Sequence, residues 1–304
     1  MTPPFAIGVD VGGTKIEALA LDPAGGERWR QRVPTPQGDY DGTVRAIRDL
    51  VTAARAALGG ARCSIGLGTP GSQTAAGTMK NANSTCLNGR PFAADLAAAL
   101  GQPVRLANDA NCLALSEATD GAGAGAAVVF AVILGTGCGG GVAVHGRVLT
   151  GPNALAGEWG HIPLPWRSDA DPQWPCYCGQ RGCLETLLSG TGLARDHEAL
   201  HGGALTGAAI ATAAANGDAS CRATLRRHHE RFARALALVS NLLDPDVVVV
   251  GGGLSQVPSL YEEVPALWAR HVFVAGSDEP PRLRLAKSKH GDSSGVRGAA
   301  WLWR

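Results

Sequence analysis

The sequence predicts an α/β fold built as two related domains. Apolar runs of strand length alternate with stretches of helical spacing, which is typical of sheets covered by helices. A unit of apolar run, Gly/Thr turn and apolar run occurs twice, at 5–21 and at 128–149, and such internal repetition favours two similar domains. With 304 residues, 45% of them hydrophobic, the chain is long enough to bury two cores.

The individual elements follow from apolar spacing and from the glycines that bound each run. Strands are predicted at 5–11, 16–21, 64–67, 103–106, 128–134, 142–145 and 247–250, each a short apolar run ending in a turn. Helices are predicted at 41–58, 93–100, 108–119, 208–215 and 221–243, with a last one after Ser294. His228 and His229 lie on the longest of these helices and are expected to face solvent.

Charge and composition exclude several classes of protein. A net charge of +1 argues against a nucleic-acid partner, which requires a basic excess on one face. The N-terminus lacks the pattern of a signal peptide, and the longest apolar runs are strand-sized, so no membrane partner is expected. We therefore expect a soluble, cytoplasmic protein whose eight cysteines are thiols or metal ligands.

Glycine turns make two candidate phosphate sites. GVDVGGTK, at 8–15, has neither dinucleotide-fold nor P-loop spacing, but it offers backbone N–H groups, the Thr14 hydroxyl and the Lys15 ammonium. Asp10 at the strand end is a candidate Mg²⁺ ligand through water. GTGCGGG, at 135–141, is a second such turn. A third glycine turn, at 251–253, follows the predicted strand at 247–250. The alternative is that all three are ordinary turns.

Asp109 is the candidate general base. It lies at a predicted strand-to-helix junction, where an aspartate most often caps the helix. Asn108 can cap equally well, which would leave the Asp109 carboxylate to accept a proton from an attacking hydroxyl.

A cysteine-rich loop predicts a metal site. Cys176, Cys178 and Cys183, together with the upstream His161, make a Cys₃His set, which is typical of structural zinc. Three unrelated buried thiols are the alternative. Glu158 and Glu185 lie beside these residues, so closing the site would direct both carboxylates toward a polyol. We therefore expect zinc to stabilise a substrate-binding loop.

Taken together, the motifs resemble those of the ROK family of sugar kinases and repressors. They stand in family order over nearly the whole chain: GVDVGGTKIE, LANDANCLALSEA, LGTGCGGGV, AGEWGH, CYCGQRGCLET and DPDVVVVGGG. Within the family the chain is most similar to bacterial fructokinases that also phosphorylate mannose, on the strength of KNANSTCLNGRPF, GEWGHIPLPW and KHGDSSGVRGAAWLW.

The resemblance implies a two-domain, actin/hexokinase-like (ribonuclease H-like) fold with ATP and sugar in the cleft between domains. The smaller domain would comprise 1–109 plus 292–304, and the larger one 110–291. The implied reaction is ATP-dependent conversion of D-fructose to fructose 6-phosphate, with N-acetylglucosamine or glucose as alternative substrates. ATP, Mg²⁺ and a structural Zn²⁺ are the implied cofactors, and a homodimer is the implied assembly.

The resemblance also assigns residues to roles. Asp109 would be the general base, and His161 would bind zinc through one ring nitrogen and face the substrate with the other. The sugar contacts would be Gly71, Asn83, Asn108, Asp109, Glu158, His161 and Glu185. The nucleotide contacts would be Gly8, Val9, Asp10, Val11, Gly12, Gly13, Thr14, Lys15, Gly135, Thr136, Gly137, Cys138, Gly139, Gly140, Gly141, Val142, Gly252 and Gly253.

Two alternatives come from other functional classes. The family contains sugar-sensing repressors, which carry a DNA-binding domain ahead of the first glycine motif, and only a few residues precede Phe5 here. A non-catalytic sugar-binding module is the second alternative, and the presence of Asp10, Lys15 and Asp109 argues against it.

Overall fold

The computed structural model describes residues 3–274 and 279–304. Its strands, in chain order, are β1 (Phe5–Val11), β2 (Lys15–Leu21), β3 (Glu27–Pro34), β4 (Cys63–Thr69), β5 (Ser72–Gln73), β6 (Met79–Lys80), β7 (Arg105–Asn108), β8 (Val128–Leu134), β9 (Cys138–Val144), β10 (Arg147–Val148), β11 (Val247–Gly251) and β12 (Leu285–Lys287). Its helices are α1 (Tyr40–Ala57), α2 (Phe92–Leu100), α3 (Asp109–Thr119), α4 (Leu184–Leu188), α5 (Gly190–His201), α6 (Gly207–Ala215), α7 (Ala219–Leu243), α8 (Pro258–Ala269) and α9 (Ser294–Trp301).

Two five-stranded sheets repeat one topology. The first has the order β3-β2-β1-β4-β7 and the second the order β10-β9-β8-β11-β12. In each sheet an antiparallel hairpin, β1–β2 or β8–β9, is followed by two parallel strands. The α/β class and the repeated strand–turn–strand unit predicted from the sequence are therefore confirmed. The predicted division at residues 109 and 110 stays a prediction.

Both faces of the first sheet are covered. Helices α1 and α2 pack on one face through residues such as Ile47 and Phe92. Helix α9 packs on the other, where Val296 and Trp301 meet Leu19 of β2. The last described helix of the chain therefore covers one face of the sheet that the first strands form.

Glycines permit helix α9 to approach its neighbours at backbone distance. A Cβ on Gly66 of β4 would lie 1.9 Å from the Ala299 carbonyl oxygen, and one on Gly298 would lie 1.7 Å from the Cys112 carbonyl oxygen. Such distances are far inside van der Waals contact, so no side chain is compatible with this packing.

Several elements differ from the sequence prediction. Strand β9 begins at Cys138, not at 142, because the ladder with β8 continues to the Leu134–Cys138 pair. Strand β3 was not predicted, since its residues are mostly polar and five of the eight are exposed. Helices α5 and α8 were not predicted either.

The prediction that His228 and His229 face solvent is wrong. Both are buried, because helices α5, α6 and α8 pack around α7. His228 hydrogen-bonds the Leu188 carbonyl oxygen at 2.9 Å, and His229 contacts Glu263 at 3.0 Å. Burial lowers the pKa of His228 to about 4, so its imidazole is neutral at physiological pH.

No helix within the described ranges combines the length and apolar character that a membrane crossing requires.

The packing of α9 gives a direct test of the fold. Gly298→Ala should lower the free energy of unfolding by roughly 3 kcal/mol, because the added methyl overpacks the contact with Cys112. Gly295→Ala in the same helix is the matched control, since its Cβ would meet other atoms only at 3.7 Å or beyond. Urea unfolding curves for both variants measure the difference. Equal stability of the two would contradict the close approach described here.

Candidate active site

Most of the predicted sugar and phosphate residues line two adjoining cavities. One, of about 870 Å³, is lined by Gly71, Asn83, Asn108, Glu158, His161 and Glu185, among others. The other, of about 410 Å³, is lined by Asp10, Gly12, Gly13 and Lys15, among others. Asp109 lines both cavities, so the two spaces meet at its carboxylate.

Asp109 is the first residue of helix α3. The Asn108 side chain caps this helix by accepting from the Ala110 N–H at 2.9 Å, and Asp109 Oδ1 accepts from the same group at 2.8 Å. The cleft walls that desolvate the carboxylate raise the pKa of Asp109, and the negative charge of Glu158 raises it further. A raised pKa makes the carboxylate a stronger proton acceptor.

Asp10 is the last residue but one of strand β1, beside the first glycine turn. Burial raises the pKa of Asp10 to about 7, with further contributions from the charges of Asp109 and Glu17, while Lys15 acts in the opposite direction. Carboxylates crowded in this way favour a bound cation, and oxygen ligands suit Mg²⁺. The residues present therefore fit the predicted magnesium site.

The first glycine turn is a tight hairpin, and a residue just after the neighbouring strand β3 stabilises it by a hydrogen bond. The Gly12 N–H donates to the Lys15 carbonyl oxygen at 3.0 Å, and the Thr35 hydroxyl donates to the Gly12 carbonyl oxygen at 2.7 Å. Thr14 and Lys15 are exposed at its tip. The side chains of Val9 and Val11 are buried, so these residues can meet a ligand only through their backbones.

The second turn is shorter than predicted. It closes through a hydrogen bond from the Gly135 N–H to the Gly137 carbonyl oxygen at 3.0 Å. The residues after it lie in strand β9, where Gly140 packs against Trp159 and Gly141 against the Ala110 carbonyl. These two glycines thus have a packing role that the sequence did not predict. Val142 is likewise buried in the core.

Glu185 bonds to this second turn. Its Oε2 accepts a hydrogen bond from the Cys138 N–H at 2.5 Å, and its Oε1 lies near Gly137. Glu185 lines the cleft as predicted, and it also ties helix α4 to the β8–β9 turn.

The third glycine motif borders a larger, mostly apolar cavity. Gly253, Gly135 and Thr136 line this space of about 1020 Å³ together with residues of helices α6 and α8. Gly252 has φ +81° and a Cβ there would lie 2.6 Å from the Leu134 carbonyl oxygen, which explains the glycine.

The four predicted zinc ligands come together. One ligand atom from each of His161, Cys176, Cys178 and Cys183 lies within 4.8 Å of the others. The Cys176 Sγ is 3.6 Å from His161 Nδ1, and the Cys178 and Cys183 sulfurs are 3.6 Å apart. Three thiols and one imidazole nitrogen at this spacing suit a tetrahedral zinc ion.

His161 presents its other nitrogen to the cleft. Nε2 lies 3.0 Å from the hydroxyl of Tyr177, an exposed side chain that also lines the cleft. Tyr177 was not predicted as a site residue, although its position between two proposed zinc ligands was a signal for it.

A buried ion network holds the same loop at a second point. Asp171 accepts from Arg231 Nε at 3.0 Å and from Arg234 Nη1 at 2.9 Å, and both arginines lie on helix α7. Burial by itself would raise the pKa of Asp171, but the hydrogen bonds from Arg234 and Arg231 hold it well below its usual range. The sequence offered no local signal for this network.

Known proteins resemble this chain along nearly its whole length. The profile of the ROK family matches residues 6–304. N-acetyl-D-glucosamine kinase of Escherichia coli O127:H6 is 39% identical over 303 residues, which cover 97% of this chain and 98% of the relative. The ROK hexokinase structure from Thermus thermophilus shares 31% identity with a TM-score of 0.85, covering 98% of this chain and 97% of that one. A ROK family glucokinase from Streptomyces griseus, solved with glucose and AMPPNP, shares 29% identity with a TM-score of 0.75, covering 97% and 98%.

The cysteine loop predicts a measurable metal content. Purified protein should contain stoichiometric zinc, and Cys178→Ser should lose it and lower the melting temperature, because metal binding stabilises the folded loop. Cys178 is exposed, so the substitution creates no cavity. Elemental analysis and thermal unfolding measure both effects, with Cys86→Ser outside the cluster as the control. Zinc-free wild-type protein would contradict the assignment.

Proposed function

The chain belongs to the ROK family and is an ATP-dependent sugar kinase, and from this membership we propose that its substrate is N-acetyl-D-glucosamine. The fructose preference expected from the sequence has no support among the relatives described above, because one is named for N-acetyl-D-glucosamine, one for glucose and the third for hexoses in general. The alternative substrates expected from the sequence, N-acetylglucosamine and glucose, are better supported by these relatives. The homodimer and the cytoplasmic location stay predictions.

Asp109 is the proposed general base. Its carboxylate would accept the proton of the sugar's primary hydroxyl as that oxygen attacks the γ-phosphorus of ATP. The side chains of Asn108, Glu158 and His161 would orient the ring by hydrogen bonds to the remaining hydroxyls, since they line the same cleft.

The two glycine turns are the proposed phosphate contacts. Lys15 would add a positive charge at the tip of the first turn, and Asp10 is the residue that would hold Mg²⁺. The magnesium charge would offset the charge on the transferring phosphoryl oxygens. The apolar cavity beside Gly253 would bind the adenosine, because its walls offer contacts for a base and little competing charge.

One observation carries this proposal: Asp109 lies where the sugar cleft and the phosphate cavity meet. A carboxylate at that junction can reach a hydroxyl held on one side and a phosphoryl group held on the other. A sugar-binding module without catalysis would have no use for the same arrangement.

Asp109→Asn should reduce kcat by roughly 100-fold or more, because the amide cannot accept the proton. Sugar binding, followed by calorimetry, should persist, since the amide keeps the shape of the carboxylate. Asp169→Asn, on an exposed loop, is the control for a lost carboxylate. In wild type, kcat/KM should fall as the pH drops through the raised pKa of Asp109, above the ~3.9 of an ordinary aspartate. An active Asp109→Asn enzyme would refute the assignment.

Steady-state kinetics with N-acetyl-D-glucosamine, glucose, mannose and fructose test the proposed substrate. The highest kcat/KM is expected for N-acetyl-D-glucosamine, measured as ADP release with excess ATP and magnesium. A higher value for fructose would reinstate the preference expected from the sequence.

A further inference from the structure

Resting on the proposed substrate, we propose that a side cavity beside Asn111 binds the N-acetyl group and sets the preference for an acetamido sugar. This cavity has a volume of about 110 Å³. It shares two wall residues, Asn108 and Glu158, with the sugar cleft, so the two spaces are neighbours and a substituent of a bound ring would enter it past these side chains.

The cavity has room for a small group. A volume of about 110 Å³ is well above the roughly 10–15 Å³ that one water molecule needs. The hydroxyl of an unsubstituted sugar is too short to occupy such a space. A nitrogen, a carbonyl and a methyl group fit within it.

An unpaired polar atom marks the type of ligand. Within the described residues, the Oδ1 atom of Asn111 is buried and has no hydrogen-bond partner. A buried acceptor left unpaired is unfavourable, so a ligand that brings an N–H donor to it is favoured. The amide N–H of an acetamido group is such a donor.

The remaining walls match the rest of an acetamido group. Ser72, Gln73 and Thr150 provide hydroxyl and amide donors for its carbonyl oxygen. Ala154 and Ala156 provide apolar contacts for its methyl group. Glucose and fructose would leave both sets of contacts unused, which lowers their transition-state binding relative to the acetamido sugar.

A series of N-acyl glucosamines tests the inference on the unmodified enzyme. N-acetyl-glucosamine should be phosphorylated with a kcat/KM roughly 10-fold or more above that of glucosamine, with N-formyl-glucosamine between the two. Glucosamine lacks every acyl contact, and the formyl group lacks the methyl that Ala154 and Ala156 would contact. Equal values across the series would overturn the inference.

Two variants test the walls separately. Ala156→Leu fills the cavity and Asn111→Leu removes the acceptor at similar size, so each should lower the ratio of kcat/KM for N-acetyl-glucosamine to that for glucose by roughly 10-fold or more. Ala124→Leu, an exposed alanine elsewhere, is the matched control and should keep the wild-type ratio.

The outcomes separate this inference from the proposed function. If wild type phosphorylates N-acetyl-glucosamine but the variants keep its ratio to glucose, the cavity assignment is wrong and the kinase activity stands. If wild type phosphorylates glucose and not N-acetyl-glucosamine, the proposed substrate itself is wrong. Should either variant fail to fold, the kcat/KM values of the unmodified enzyme for the N-acyl glucosamines decide whether the cavity binds the acetyl group.

Discussion

Helix α3 is fixed at backbone distance from its neighbours, and the site depends on that constraint. A Cβ on Gly141 of β9 would lie 2.3 Å from the Ala110 carbonyl oxygen, and one on Gly298 of α9 would lie 1.7 Å from the Cys112 carbonyl oxygen. Any larger residue would displace the helix. Because Asp109 begins this helix and Asn111 follows it, the proposed base and the side cavity are positioned by the same contacts.

The loop that carries the cysteines is attached to the rest of the protein in two ways. Beyond Cys183, Glu185 accepts a hydrogen bond from the Cys138 amide, which joins the sugar side of the cleft to the β8–β9 turn. Ahead of Cys176, Asp171 pairs with buried arginines of helix α7. The proposed sugar contacts and the proposed phosphate turns therefore belong to one connected part of the structure.

The sequence predicted those features whose cause is local. Strands β1 and β8 have the predicted bounds, because each is a mostly apolar run that a glycine turn follows. Strand β3 was missed, since its arginines pair with the buried Glu17 of a neighbouring strand and leave no apolar pattern. The candidate base and metal ligands could be proposed from the sequence because their residue types carry the chemistry, and their roles stay predictions. The cavity beside Asn111 was not, since a void depends on how separate segments pack.

The position of helix α9 has a consequence for how the protein is made on the ribosome. One face of the sheet built from 5–108 stays uncovered until residues 294–301 have been synthesised. At ~5–20 residues per second, that delay is roughly 10–40 seconds, during which the nascent chain keeps apolar side chains of β2 in water. The intervening segment has its own sheet and core, so we expect it to acquire structure first and the two ends of the chain to join last.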